Sequence, residues 1–358
     1  MKVGFLVAPY ASQSLKDVLE MLAARHRPQL EAIEIAMNPY CPLGHGDPRR
    51  LAKSAGARAE WEETILRHGF RLSSISAHGN PLHPKAVFAR LSRDRFRQSC
   101  ELMGKLDSCL FRDREDRPVR VVNAFSGLPG EVRKSGKRWR QSGAVPSWHA
   151  APWPDEHVDG HRAQMRFAGS VWRELSKIAR DNGVSVGFEL HPNMLAHNAE
   201  SYLALLEEAG DDGSTLGLNF DPSHFFWRGI DPLAMLRHLR SATKTTVVKH
   251  AHGKDAFTDR FNTEVNGCLS MVPYSDEAHR PWRFVTIGEG WDPVSGPHDL
   301  NWWQRLVTEL QLGGYDHVIS IEHEDSRKSF EEGLSKALSV LAHAVNREVP
   351  GPITWAKR

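Results

Sequence analysis

The chain has 358 residues, of which 40% are hydrophobic and 25% charged, with a formal net charge of +2. That composition permits a large buried core and excludes global disorder, and so small a net charge gives no electrostatic case for a nucleic-acid or membrane surface. No apolar run approaches the roughly 20 residues that a bilayer span requires.

Taken in chain order, apolar stretches predict strands at 3–7, 32–36, 73–77, 119–124, 184–190, 216–220, 246–251 and 318–321. Helical periodicity fills the gaps at 15–25, 54–68, 86–103, 158–181, 199–209, 232–240, 301–312 and 330–345. Several of these helices carry end signals. Asn182-Gly183 and Gly313-Gly314 close two of them, and Asp231-Pro232 opens a third with an N-cap and a proline at the first helical position. Strands and helices alternating eight times is the pattern of a (β/α)8 TIM barrel, an α/β fold, here expected as one domain over 1–358. Two long segments interrupt the rhythm, 126–156 after the fourth strand and 255–300 after the seventh. Each follows a strand and precedes a helix, which places both on the catalytic face of such a barrel as lids, substrate walls or interface segments. There is no internal repeat, low-complexity tract or interdomain linker.

The start of the chain has neither a basic segment nor a long apolar stretch with a small-residue cleavage site, so no signal peptide is expected. Cys41, Cys100, Cys109 and Cys268 have no C-x-x-C spacing. Reduced thiols and a cytoplasmic location are the expectation.

Four consecutive strands in the C-terminal half end in metal-ligand residue types. Glu189 closes the fifth, Asp221 follows the sixth, His252 follows the seventh and Glu322 follows the eighth. Adjacent parallel strands bring such residues within ligand distance of one another. A lone Glu at a strand end is ordinarily a solvated terminus, and with 19 histidines some fall near strand ends by chance. Four strands in succession are harder to assign to chance. Residues two apart share a strand face, which pairs Glu189 with His191, His250 with His252, and Glu322 with Glu324. A turn after Asp221 brings His224 back towards the same centre. Other motifs carry less. The Gly-x-Gly of Ile287-Gly288-Glu289-Gly290 does not join a strand to an opening helix and reads as a turn. The basic run Arg133, Lys134, Lys137, Arg138, Arg140 reads as a solvated loop face. Trp148, Trp153, Trp227, Trp282 and Trp291 lie in or beside the catalytic-side loops, where they either stack on a substrate ring or pack the loops.

Together, Glu189-Leu190-His191-Pro192, Asp221-Pro222-Ser223-His224, His250-Ala251-His252-Gly253-Lys254-Asp255 and Ile321-Glu322-His323-Glu324-Asp325 resemble the xylose-isomerase-like TIM-barrel superfamily, whose bacterial members are usually called sugar phosphate isomerases/epimerases. His78-Gly79-Asn80-Pro81-Leu82-His83-Pro84 resembles one branch of it. The resemblance spans nearly the whole chain. It implies a divalent ion held by Glu189, Asp221, His252 and Glu322, with Mn²⁺ first and Mg²⁺, Co²⁺ or Zn²⁺ as alternatives. It implies that His191, His224 and His78 bind substrate or hold the ligands, with His250 in a similar supporting role. Lys254 and Arg283 would then meet substrate oxygens.

The implied reaction is isomerisation or epimerisation of a keto-sugar or inosose through an enediolate, with Glu189 and Glu322 moving the proton. The same enolate can instead expel a group β to the carbonyl, which makes a 3-keto-glycoside lyase or C-deglycosidase the alternative. A remote alternative is a hydrolase like the apurinic-site endonucleases. Against it, the fourth strand ends in Val122-Asn123-Ala124, and no Asp-x-His lies between His252 and Glu322. The expected partner is a small keto-sugar or glycoside, with neither nucleic acid nor membrane. A homo-oligomer is expected, and a hetero-oligomer with a small subunit is the variant that the lyase relatives suggest.

Overall fold

In a computed structural model that describes residues 1–243 and 245–348, eight parallel strands close into a barrel. They are β1 (Lys2–Leu6), β2 (Ala32–Ala36), β3 (Arg71–Ser76), β4 (Val121–Phe125), β5 (Ser185–Glu189), β6 (Leu216–Phe220), β7 (Val248–Gly253) and β8 (Val318–Ile321). Each pairs with its sequence neighbour, and β8 returns to β1 in the register Lys2↔Val318 to Phe5↔Ile321. The helices that cover the outside are α1 (Leu15–His26), α2 (Ala55–Arg67), α3 (Ala86–Met103), α4 (Asp155–Asp181), α5 (Ala199–Ala209), α6 (Pro232–Ala242), α7 (Leu300–Leu312) and α8 (Phe330–Ala344). The protein is thus a (β/α)8 TIM barrel.

Three strands begin two residues from expectation, β3 early at Arg71 and β4 and β7 late. Val119 is held outside β4 because its N–H bonds the carbonyl of Phe111 in the preceding loop. β7 starts two residues late and runs through His252, which lies opposite Ser320 of β8. The shift puts His252 inside the strand, on the same face as His250. α4 begins at Asp155, before the expected 158, because Asp155 and Glu156 occupy its first turn, where negative charge favours the helix dipole. Short helices at Pro48–Lys53, Ser223–Phe226 and Arg260–Asn266 were not expected from periodicity. Each spans two turns or fewer, too short to show it.

Both long segments carry structure of their own. Residues 126–156 contain an antiparallel hairpin, Glu131–Ser135 with Arg138–Ser142, whose basic side chains are mostly exposed. Residues 255–300 form a small sheet in the order Trp282–Val285, Asp255–Thr258, Trp291–Asp292 and Gly296–Pro297. Trp227 and Trp282 stack face to face at 4.3 Å and are both buried, so they pack this sheet against the loop after β6. Trp153 is exposed. All four cysteines are free, and among the described residues no helix is long and apolar enough to cross a membrane.

The apolar core lies mainly between strands and helices. α8 shows the pattern: Leu334, Ala337, Leu338 and Leu341 are buried at helical spacing, and Ser329 caps its start by accepting from the Glu332 N–H. Trp172 of α4 meets Phe188 of β5 edge-on at 4.5 Å and Phe96 of α3 at 5.5 Å, while its indole N–H donates to the Ser126 carbonyl at 2.8 Å. That bond ties the loop after β4 to the core.

α4 and α5 approach closely at Gly169. A Cβ there would lie 2.5 Å from both the Cβ and the backbone oxygen of Glu208. Alanine would gain about 1 kcal/mol in helix propensity, but overpacking costs about 1–3 kcal/mol and here obstructs backbone as well as side chain. Gly169→Ala should therefore lower stability, read as an earlier urea unfolding midpoint than wild type.

Candidate functional site

The mouth of the barrel collects charge. Glu189 ends β5, Asp221 follows β6, His252 is near the end of β7 and Glu322 follows β8; their ligand atoms all lie within 4.8 Å of one another. His252 Nδ1 is 3.2 Å from Glu322, 3.5 Å from Glu189 and 3.9 Å from Asp221. Burial would by itself lower the imidazole's pKa, but the carboxylates of Glu34 and Glu322 outweigh it and hold His252 well above its ordinary value. Burial likewise opposes ionisation of Glu189, yet His78, His224 and His252 bring its carboxyl well below the usual range. Glu322 falls to about 2, with Lys254 and His252 overcoming the penalty of burial.

Asp221 behaves differently. Burial pushes its carboxyl up to about 7; Lys254 opposes this, while Glu189 and Glu322 add to it. Its Oδ1 accepts the Ser223 N–H at 2.8 Å, but the buried Oδ2 has no hydrogen-bond donor. An unsatisfied carboxylate oxygen, crowded by two further carboxylates and facing a ring nitrogen, fits a divalent cation. Three carboxylates and one imidazole are a hard donor set with room for Mn²⁺, Mg²⁺, Co²⁺ or Zn²⁺.

The other sequence-predicted residues distribute around this centre. His224 Nε2 is 2.8 Å from Glu189 and 3.3 Å from Asp221, and burial depresses its pKa to about 3. His78 Nε2 is 3.1 Å from Glu189, and its ring lies 4.4 Å from Phe125. The His191 ring packs between Phe125 and His224 at 5.1 and 4.4 Å. Lys254 is buried, 3.2 Å from Glu322 and 2.6 Å from Glu324, with its ammonium 4.2 Å above the Phe284 ring. Arg283 is not with them. Along Trp282–Val285 alternate residues turn inward, and those are Trp282 and Phe284. Arg283 therefore faces the other way, over Phe257 at 4.3 Å, in a surface pocket with Asp259 and Glu277.

Three interior residues escaped the sequence reading. Glu34 of β2 is fully buried beneath His252, with Asn123 of β4 and Asn219 of β6 beside it. A glutamate inside Ala32-Ile33-Glu34-Ile35-Ala36, where every residue is buried, was the available signal. Above the carboxylates opens a cavity of about 630 Å³, walled by Tyr40, Phe125, Tyr274 and Phe284.

A model of the xylose isomerase-like TIM barrel family matches residues 23–343. The chain belongs to that family. Among relatives, the uncharacterized protein YfiH of Bacillus subtilis (strain 168) is 27% identical over 351 residues, covering 97% of this chain and all of its own length. A solved D-tagatose 3-epimerase-like protein superposes with a TM-score of 0.59 at 21% identity, covering 96% of this chain and 97% of its own. The probable 3-DHS dehydratase AsbF from Bacillus anthracis gives a TM-score of 0.59 at 17% identity, covering 97% of this chain and 100% of its own. At such identities the two structures share the fold.

In this xylose isomerase-like barrel the strand end that carries Lys254 is pinned by the next residue. Asp255 accepts the N–H groups of Gly288 and Gly290 at 3.1 and 3.2 Å, and His298 Nδ1 at 2.5 Å. His298 Nε2 in turn donates to Asp292 at 2.8 Å. Gly290 has no alternative, since a Cβ there would fall 2.0 Å from Asp255 Oδ1. Burial disfavours the His298 cation, but the two aspartates prevail and raise its pKa to about 9. The raised value means that the folded state binds this proton more tightly than the unfolded chain does. The resulting stabilisation is complete below about pH 6.5 and is lost as pH rises through about 9. The thermal-midpoint difference between wild type and His298→Gln should accordingly narrow between those pH values, and a constant difference would rule out a charged His298.

Proposed function

We propose that this protein is a divalent-metal-dependent isomerase or epimerase acting on a keto-sugar or inosose. The observation that carries the reading is the convergence of Glu189, Asp221, His252 and Glu322 beneath an open cavity, with an unsatisfied Asp221 oxygen at its centre. The ion, when bound, supplies a Lewis acid that polarises a carbonyl and makes the neighbouring C–H more acidic.

The chain's own groups do the rest. Glu189 and Glu322 are kept ionised by their cationic and imidazole neighbours, which suits one to take the proton beside the carbonyl and the other to return it. His78 and His224 hold Glu189 from two sides and fix its orientation. Lys254 can donate to a substrate oxygen from its place between Glu322 and Glu324. Phe125 and Phe284 offer apolar faces to the C–H side of a sugar ring and keep water from the reacting carbon. Mn²⁺ is the first choice of ion for this oxygen-rich set, with Mg²⁺, Co²⁺ and Zn²⁺ as alternatives.

A second reading is β-elimination from a 3-keto-glycoside through the same enolate. The cavity of about 630 Å³ exceeds a single sugar ring, and its aromatic walls suit a flat leaving group. A shared fold with a protein named as a dehydratase is consistent with this.

Two experiments test these readings. Protein stripped with chelator and reloaded with single ions would be incubated in D₂O with ketoses, inososes and 3-keto-glycosides and followed by NMR. Metal-dependent deuterium uptake beside a carbonyl is expected; a rearranged sugar supports isomerisation, and a released aglycone supports elimination. No exchange with any ion would end both readings. Glu189→Gln and Glu322→Gln should each slow turnover by about 10²–10⁴-fold while leaving the circular dichroism spectrum unchanged. Near-normal rates in both would remove the proton-transfer assignment.

A further inference from the structure

Beneath the four converging residues, a layer of polar side chains fills the barrel where apolar residues usually pack. Glu34 is its only carboxylate among the described residues. The Glu34 oxygens lie 3.1 and 3.2 Å from His252 Nε2, accept from Asn123 Nδ2 at 2.8 Å, and accept from the Ser76 hydroxyl. His250, two residues before His252 on the same strand, stands 3.6 Å from Glu34.

Glu34, His250 and His252 offer ligand atoms within 4.8 Å of one another, which could suggest a second cation. The hydrogen bonding argues against one. Glu34 already faces three donors. Both ring nitrogens of His250 are engaged, Nδ1 donating to Asn219 Oδ1 at 2.8 Å and Nε2 accepting from the Ser320 hydroxyl at 3.1 Å. A cation would have to displace satisfied partners, whereas Asp221 Oδ2 above has none to lose.

A carboxylate set against one nitrogen of an imidazole decides which nitrogen carries the hydrogen. We propose that Glu34 is a positioning residue: by accepting the Nε2 hydrogen of His252 it fixes the ring so that Nδ1 is presented to Glu189, Asp221 and Glu322. The proposal rests on the reading of those four residues as metal ligands. It accounts for a full negative charge beneath the site on a residue that does not itself line the cavity above and meets that wall only through Ser76. It also assigns the layer two arms. One runs from Glu34 to His252. The other runs from Ser320 through His250 to Asn219, whose amide donates to Glu189 at 3.2 Å.

The test is Mn²⁺ affinity, measured by calorimetry on chelator-stripped wild type, Glu34→Ala, Glu34→Gln and Tyr202→Phe, with the thermal midpoint of each metal-free form as the folding control. Glu34→Ala should bind Mn²⁺ about 10–100-fold more weakly. Glu34→Gln, whose amide oxygen still accepts from Nε2, should fall between it and wild type. Tyr202→Phe, which removes a buried bond from α5 to the Leu216 carbonyl of β6 and touches no residue of the layer, should stay within about threefold of wild type on the same reasoning. Wild-type affinity in both Glu34 variants, or an equal loss in Tyr202→Phe, would overturn the proposal, the latter by showing a general packing effect. If wild type binds neither Mn²⁺ nor Zn²⁺, the metal reading fails and the proposal with it, a result distinct from a bound ion that ignores Glu34.

Discussion

Three carboxylates, Glu189, Asp221 and Glu322, are brought together at the end of one barrel, the first two almost out of reach of water and Glu322 open on the cavity side. Two like charges about 4 Å apart repel by about 4 kcal/mol at an effective dielectric near 20, and burial adds a desolvation cost for each ion. The molecule meets this constraint with His252 between them, Lys254 to one side and His78 and His224 to the other. The division is unequal. Glu189 and Glu322 receive most of the compensation, and Asp221 is left with a raised pKa and an unpartnered oxygen. Cations and donors around the rim therefore follow from the crowding, and so does the fit of a divalent ion at its centre.

Why this crowding does not unfold the barrel is a matter of rigid supports. Each of the four residues sits at or beside the end of a hydrogen-bonded strand, so its backbone is fixed by two neighbours. Small residues make room within. At Gly187, for instance, a Cβ would come within 2.6 Å of Asn123 Oδ1. The second insertion adds a further support through Asp255, which fastens a glycine turn and a histidine to the residue beside Lys254.

The sequence made the strand-end residues legible because their signal is one-dimensional: an apolar run, then a ligand type, repeated in step. The barrel count was legible for the same reason. Glu34 was not, because its meaning depends on His252, 218 residues away, and a single charge in a short strand is easily read as an interruption. Arg283 was anticipated at the site from resemblance, and the structure shows it across the strand from the inward-facing Phe284, a difference of one residue in phase. The small sheet of the second insertion has strands as short as two residues, whose pairing comes from tertiary contact and leaves no periodic trace.

The polar interior has a consequence for how the molecule holds together. A barrel usually gains cohesion from stacked aliphatic layers along its axis. Here serines, two asparagines, a histidine and a glutamate occupy that space at Ser74, Ser76, Ser320, Asn123, Asn219, His250 and Glu34, and they contribute directional bonds more than hydrophobic free energy. The closing force must then come from the outer annulus, where Trp172, Leu338, Leu341 and their neighbours press the helices onto the strands. Tolerance to change should be distributed accordingly: the polar layer is set by chemistry and the wall by volume, so aliphatic swaps that a conventional barrel axis would absorb have no counterpart within that layer.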